Sequence, residues 1–234
     1  EWRGKPMSTV CDADLRAGLE QLAARVRHLE EVEARVRHLE DVLAIQKLQS
    51  KYAHCLFTQR YGRIVDECFA RHASDVTLEF SDSGVYRGLE SIRAVYRDFE
   101  AARKRIPGFF ILHMAVNPYI EVARDGTSAR SHWLSPGAVG SASSAGWVWG
   151  PYYIDYVKEP GAAGRDEWRI LHSNLAPLFR NRYEVSWAAA EDHGTVRRAL
   201  TAKPASGPTL YRPYSEVKGE PDLFRNHPDL PESY

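Results

Sequence analysis

The stretch from Leu112 to Leu175 constrains the fold more than any other part of the chain. It contains strand-like segments rich in β-branched and aromatic residues, one after another. The segments predict four strands, at about residues 109–123, 127–135, 146–159 and 167–178. Strands that follow each other with short connections pair antiparallel, so we expect a curved antiparallel sheet.

Turn signals divide this run of strands. Asn117-Pro118 inside the first segment predicts a bulge or kink, because proline cannot donate to a strand ladder. Asp125-Gly126 is typical of a tight hairpin turn. The small residues PGAVGSASSAG at 136–146 predict a flexible loop, placed where a substrate gate could lie.

The N-terminal part of the chain has the pattern of a coiled coil. Apolar residues recur with alternating spacings of four and three over residues 12–42, with one step out of phase at Val32. The segment ARVRHLE occurs twice, at 24–30 and 34–40. The pattern favours a helix that assembles subunits, and the alternative is a solvated helix lying on its own domain.

The remaining chain has the order expected of one α+β domain with appendages. We predict residues 43–190 as the domain, with residues 1–11 as a disordered start or a vector remnant and residues 191–234 as an extended tail rich in proline and tyrosine. Helices precede and interrupt the first strand, at 76–80, and the later strands should curl around them as a cone. Aromatic residues would let the tail attach to a surface; they are Tyr211, Tyr214, Phe224 and Tyr234.

Composition limits the function classes. The 234 residues carry 31 basic and 31 acidic side chains, and without a basic block nucleic acid is not expected as a partner. No apolar run approaches the roughly 20 residues of a membrane span. Three cysteines without a paired spacing favour a reducing compartment, so we expect a cytoplasmic protein in which Cys55 and Cys68 are small core residues.

Three histidines on separate predicted strands carry the chemical hypothesis. His113 alternates with Phe109, Ile111 and Ala115, which places one polar group on an otherwise apolar face. A buried imidazole has a lowered pKa and stays neutral, which suits a general base. The alternative is that a single histidine on such a strand is a hydrogen-bonded core residue.

The other candidate residues surround this predicted base. His172 should share a face with Ile170 and Asn174, and Asn174 could bind a substrate oxygen. His132 is the third histidine, but it points away from the pocket if Trp133 points inward. Tyr52 could act as an acid or hydrogen-bond a phenol. The further substrate-binding candidates are Trp147 and Trp149 as an aromatic wall, Phe57, Phe80 and Glu79, with Asp82 as another nearby carboxylate.

Several motifs together resemble a known family. AIQKLQSKYAHCL, GVYRGLESIRAVY, LHMAVNPYIEV, GTSARSHWL and WRILHSNL are similar, in order and spacing, to the SnoaL-like branch of the nuclear transport factor 2-like superfamily over residues 43–187. This resemblance implies a cystatin-like cone with a deep apolar pocket, and an assembly of two or three subunits. Its relatives include scytalone dehydratase and lyases of lignin-derived dimers.

The resemblance also implies roles for single positions. His113 lies where the dehydratase relatives carry a pocket histidine, and His132 lies close to their second one. The sequence departs from the family at Phe57-Thr58-Gln59, where a pocket aspartate is frequent. Two further tyrosine positions are occupied by Phe57 and Phe80.

These observations predict a cofactor-independent lyase, either a dehydratase or a carbon–carbon lyase. We expect a small aromatic or polycyclic hydroxylated substrate, with a lignin-derived diaryl compound as one example. His113 would be the base, and no metal is expected because no metal-binding spacing occurs. The alternatives are an isomerase or cyclase on the same scaffold and a non-catalytic oligomeric module that binds a small ligand.

Overall fold

A computed structural model describes residues 12–161, 164–189, 200–209, 213–222, 224–225 and 227–232. The predictions for residues 1–11, Tyr211 and Tyr234 therefore lie outside the described residues. The chain divides into two compact units, residues 1–40 and 41–234. No helix among the described residues is long and apolar enough to cross a membrane.

Within the described residues, helices precede and interrupt the first strands, as predicted. Helix α1 covers Asp12–Phe57 without a break, α2 covers Tyr61–Cys68, and α3 covers Leu89–Arg105. The buried residues of α2 and α3 recur three and four positions apart, which is why each helix buries one stripe against the sheet. A fourth helix, α4, is a single turn at Tyr214–Val217.

Among the residues that the structure describes, eight strands form one sheet. They are β1 (Thr77–Phe80), β2 (Gly84–Arg87), β3 (Phe110–His113), β4 (Val116–Val122), β5 (Ser128–Ser141), β6 (Ser144–Pro160), β7 (Asp166–Leu175) and β8 (Phe179–Arg182). The main order is β2-β1-β7-β6-β5-β3, with β4 also paired to β5 and β8 also paired to β6. The predicted α+β cone is confirmed, but the sheet is mixed, because β1 runs parallel to β7.

The predicted loop at 136–146 is wrong. β5 and β6 continue as a hairpin as far as Ser141 and Ser144, so only two residues form the turn. Small side chains fit here because the neighbouring strands approach closely: a Cβ on Gly137 would lie 2.7 Å from the carbonyl oxygen of Leu112. The glycines of this segment therefore indicate close strand packing.

Two turn predictions are confirmed. The register of β4 shifts between Val116 and Tyr119, where Asn117 has a φ of 50°, so the predicted bulge is present. At the β4–β5 turn, Gly126 has a φ of 68°, and the carboxylate of Asp125 accepts a hydrogen bond from the backbone N–H of Thr127.

The main core lies between the helices and the face of the sheet that we call the inner face. On β5, Ala129, Ser131, Trp133 and Ser135 point to this face and are buried. Cys55 and Cys68 are buried free thiols in the same core, as predicted.

Candidate functional site

A cavity opens between the helices and the inner face of the sheet and is partly open to solvent. Its walls are mostly apolar or aromatic, and its polar groups converge from distant parts of the chain. Such a cavity is the usual form of a small-molecule site. It is lined by Tyr52, Leu56, Phe80, Asp82, Ser83, Phe99, Ile111, His113, Tyr152, Leu175, Arg180 and Leu200.

His113 lies at the end of β3 and points into this cavity. Its alternation with Phe109 and Ile111 is confirmed, since all three side chains are buried. Burial is the main cause that lowers the pKa of His113 to about 3, and the nearby Arg180 lowers it further. The ring is therefore neutral at neutral pH. Its Nδ1 atom lies 3.5 Å from the hydroxyl oxygen of Ser135, at the limit of a hydrogen bond.

Gly137 makes room for this imidazole. It pairs with His113 across the β3–β5 ladder, and a Cβ there would lie 2.8 Å from Nδ1 of His113. It would also lie 2.9 Å from the carbonyl oxygen of Val148. Any larger residue would displace either the ring or the strands that hold it.

A buried ion pair faces the same cavity. Nε of Arg180, on β8, donates to Oδ2 of Asp82 at 2.5 Å, and the two side chains are 8% and 4% exposed. Asp82 lies in the turn between β1 and β2. Its negative charge raises the pKa of His113, against the larger effects of burial and Arg180. The two charges therefore have opposite and smaller effects on the imidazole than burial has.

Tyrosine hydroxyls supply the remaining polar groups of the cavity region. The hydroxyl of Tyr96 donates to that of Tyr52 at 3.0 Å, and both side chains are buried. Burial raises the pKa of Tyr52 and of Tyr152, so both remain protonated and can donate. Of the other predicted contacts, Phe80 also lines the cavity.

His172 and Asn174 share a face, as predicted, but Ile170 lies on the opposite face, so the prediction that they point into the pocket is wrong. The β6–β7 register shifts at this point, so that Tyr156 pairs with Ile170 but Asp155 pairs with His172. The extra residue in β7 reverses the alternation, and the two candidates point to the outer face of the sheet. There, Nδ1 of His172 lies 3.0 Å from a carboxylate oxygen of Asp155, which raises the pKa of His172.

His132 is also on the outer face. Trp133 is 4% exposed and points inward, so the neighbouring His132 points away from the cavity. Its ring packs edge-on against Tyr153 at 4.6 Å between centroids. Partial burial lowers its pKa.

The predicted aromatic wall lies outside the cavity too. Trp147 and Trp149 do share one face, but they are 42% and 45% exposed on the outer face. Trp149 stacks on Phe179 at 6.1 Å, and Phe179 stacks on Trp187. This row of aromatic rings continues to Tyr214 of the tail, 4.8 Å from Trp187.

The last two predicted contacts have other surroundings. Phe57 is 54% exposed and does not line the cavity. Glu79 points to the outer face of β1, where it accepts hydrogen bonds from the backbone N–H and the hydroxyl of Thr209 at 2.7 and 2.8 Å. Glu79 therefore holds the tail on the sheet, and Leu200 of the same tail reaches the cavity wall.

The sequence prediction missed Arg180 and Tyr152. Tyr152 belongs to the predicted third strand, but a tyrosine doublet does not show which member points inward. Arg180 follows a predicted strand in the segment FRNR, where nothing distinguishes it from Arg182. Among the described residues, no group of three or more His, Cys, Asp or Glu side chains is arranged to hold a metal ion.

The fold and the site together define a class: a cone-shaped α+β domain with a buried histidine in an apolar cavity. A family model for SnoaL-like domains matches residues 37–174, and the chain belongs to this family. The predicted resemblance to the nuclear transport factor 2-like superfamily is thereby confirmed. A search of curated proteins found no significant match.

Solved structures with the same fold are distant in sequence. One is a protein from Novosphingobium aromaticivorans provisionally named scytalone dehydratase, with 16% identity, a TM-score of 0.52, and coverage of 68% of this chain and 97% of its own. Another is hexachlorocyclohexane dehydrochlorinase LinA-type3 from Novosphingobium barchaimii, with 15% identity, a TM-score of 0.51, and coverage of 65% and 96%. At these identities the likeness shows the fold alone.

Proposed function

We propose that the protein is a cofactor-independent lyase that removes a proton from carbon and releases a small leaving group. One observation carries the proposal: a neutral imidazole and a buried ion pair face the same apolar, aromatic cavity. Perturbed titratable groups that converge in a cavity are typical of catalytic sites.

His113 is the proposed base. Its neutral imidazole accepts the proton as the C–H bond breaks, a carbon–carbon double bond forms, and the bond to the leaving oxygen breaks. The imidazolium then returns the proton to the departing oxygen, which leaves as water. Because the pKa of His113 is about 3, protonating the empty site at pH 7 costs about 5 kcal/mol. This cost already includes the charge of Asp82, which favours the imidazolium, and it would be larger without that carboxylate.

Arg180 and the tyrosines are the proposed orienting groups. The guanidinium of Arg180 can stabilise negative charge that develops on a carbonyl or phenol oxygen. Tyr52 can donate a hydrogen bond to the leaving oxygen. The family often carries a pocket aspartate near Phe57, which this chain lacks. Asp82 would supply the corresponding carboxylate, because it reaches the cavity from the β1–β2 turn.

The substrate class follows from the walls. Aromatic and aliphatic side chains favour a small ring compound with few polar groups, such as a hydroxylated aromatic or a lignin-derived diaryl compound. The names of two structural neighbours, a dehydratase and a dehydrochlorinase, both describe eliminations. The two named reactions release different groups, water and hydrogen chloride. Together they support elimination as the reaction class but do not identify the substrate.

The test is a turnover screen by mass spectrometry. Protein treated with a chelator and given no cofactor is incubated with hydroxylated aromatics, diaryl propanediols and hydroxysteroids. We expect a product lighter by water, as the proposed elimination requires. A product lighter by formaldehyde would indicate a carbon–carbon lyase with a different proton transfer. A product of unchanged mass and new retention time would instead indicate an isomerase or cyclase. Thermal stabilisation by a compound without turnover would indicate a binding module.

Matched variants then test the base. His113→Ala should lower turnover by about 10²–10⁴-fold, the usual contribution of general acid–base catalysis. His132→Ala is the control, because this histidine lies in the same sheet but on the outer face. Equal loss in both variants, or unchanged turnover in the first, would remove His113 from the mechanism.

A further inference from the structure

We propose that residues 15–40 of α1 pair with the same residues of a second copy of this chain, as a parallel, in-register, two-stranded coiled coil. This inference does not depend on the proposed function. It starts from an apolar stripe along the helix whose residues are each 38% to 67% exposed to solvent. The stripe consists of Leu15, Leu19, Leu22, Val26, Leu29, Val32, Val36 and Leu39.

The spacing of the stripe assigns heptad positions. Leu15, Leu22 and Leu29 occupy d positions, and Leu19 and Val26 occupy a positions. After Leu29 the next step is three residues instead of four, so a second block begins at Val32. Such a step overwinds a coiled coil locally without ending it, and α1 continues through it as one helix.

The repeated segment ARVRHLE gives both blocks the same flanking charges. In each copy, the arginine before the valine is at a g position and the final glutamate is at the e position five residues later. The pairs are Arg25 with Glu30, and Arg35 with Glu40. In a parallel, in-register dimer a g residue faces the e residue of the partner five positions on, so each pair meets with opposite charges across the interface.

The same charges disfavour an antiparallel dimer. In that arrangement g positions face g positions and e positions face e positions, so arginine would meet arginine and glutamate would meet glutamate. Within the described residues, none of these four side chains forms a hydrogen bond or an ion pair. Glu33, in contrast, pairs with Arg37 of its own helix at 2.7 Å.

The core positions select the number of strands. Each copy of the repeat places valine at a and leucine at d, as Val26 with Leu29 and Val36 with Leu39. β-branched residues at a with leucine at d favour two strands over three or four. Charge complementarity and core geometry therefore agree on a dimer of identical chains.

Disulfide trapping tests the alignment. In the full chain with Cys11→Ser, the variant Leu19→Cys places a thiol at an a position far from the middle of the segment, where it meets its own copy only in a parallel, in-register pair. The control Ala24→Cys places it at an f position on the opposite side of the helix. We expect mild oxidation to cross-link the first variant and leave the second as single chains. Equal cross-linking of both, or none in the first, overturns the proposal.

Charge reversal tests the pairing by sedimentation equilibrium. Arg25→Glu with Arg35→Glu turns four attractive contacts of a dimer into repulsive ones and should weaken association about tenfold or more. Adding Glu30→Arg and Glu40→Arg should restore it. A trimer, a monomer at micromolar concentration, or association that is unaffected by the first pair of substitutions contradicts a parallel coiled-coil dimer.

Discussion

Replacing His113 with asparagine should change how the stability of the protein depends on pH. Burial, followed by Arg180, lowers the pKa of this imidazole from 6.5 to about 3 in the folded protein. Between these two values the unfolded chain binds a proton that the folded chain does not. Stability therefore rises with pH across this window and is lost as the pH falls from about 6.5 toward 3.

The structure sets the size of the effect. With a pKa of about 3 folded and 6.5 unfolded, the wild type should lose about 2 kcal/mol between pH 8 and pH 5 through this histidine alone. His113→Asn removes the group and should flatten the profile by that amount. Urea unfolding at pH 8, 7, 6 and 5 measures it, in a range where carboxylates stay largely ionised.

His172→Asn is the matched control, because its effect has the opposite sign. The hydrogen bond to Asp155 raises the pKa of His172. It therefore contributes stability that is present below the unfolded pKa and is lost as the pH rises through the folded pKa. Removing His172 should make the loss of stability in acid steeper. Parallel profiles for the wild type and His113→Asn would refute the claim that the His113 imidazole is desolvated.

Three further substitutions test the surroundings of the site. Gly137→Ala should lower the free energy of unfolding by about 1–3 kcal/mol, because the new Cβ overlaps two carbonyl oxygens and an imidazole. Thermal unfolding would measure the loss of stability, and a shifted histidine resonance would show the displaced ring. Arg180→Met should lower the free energy of unfolding by about 3–5 kcal/mol, because it leaves the buried carboxylate of Asp82 without this cation. Adding Asp82→Leu should restore most of that stability, and urea unfolding measures both variants. Thr209→Val removes the hydroxyl that donates to Glu79 and should cost about 1 kcal/mol, with faster amide exchange in residues 200–209.

Periodicity and turn chemistry predicted most of the fold. The bulge at Asn117 and the hairpin turn at Gly126 depend on local rules, so a single sequence was enough to predict them. Strand β2 was missed because GVYR is short and follows a turn signal. The hairpin of β5 and β6 was taken for a loop, because small residues suit both a flexible loop and closely packed strands.

The alternation of inward and outward side chains along a strand predicted site residues only where the strand is regular. His113 is on an uninterrupted strand, and its placement followed from its apolar neighbours. His172 lies just beyond a register shift, and one extra residue moved it to the outer face. Asp82 and Arg180 are 98 positions apart in sequence, so their pairing depends on the closure of the whole sheet. No local pattern contains that information.

The ion pair is the strongest argument that the cavity serves chemistry. Burying two charges costs free energy that their attraction does not always offset, and apolar residues of the same volume are often equally stable or more so. Yet Asp82 and Arg180 are almost fully buried beside a histidine that burial already keeps neutral. Core packing would not require this combination at the wall of a cavity. The proposed reaction gives each charge a use, because the carboxylate offsets part of the effect of burial and Arg180 on the imidazolium, and the guanidinium favours a developing oxyanion.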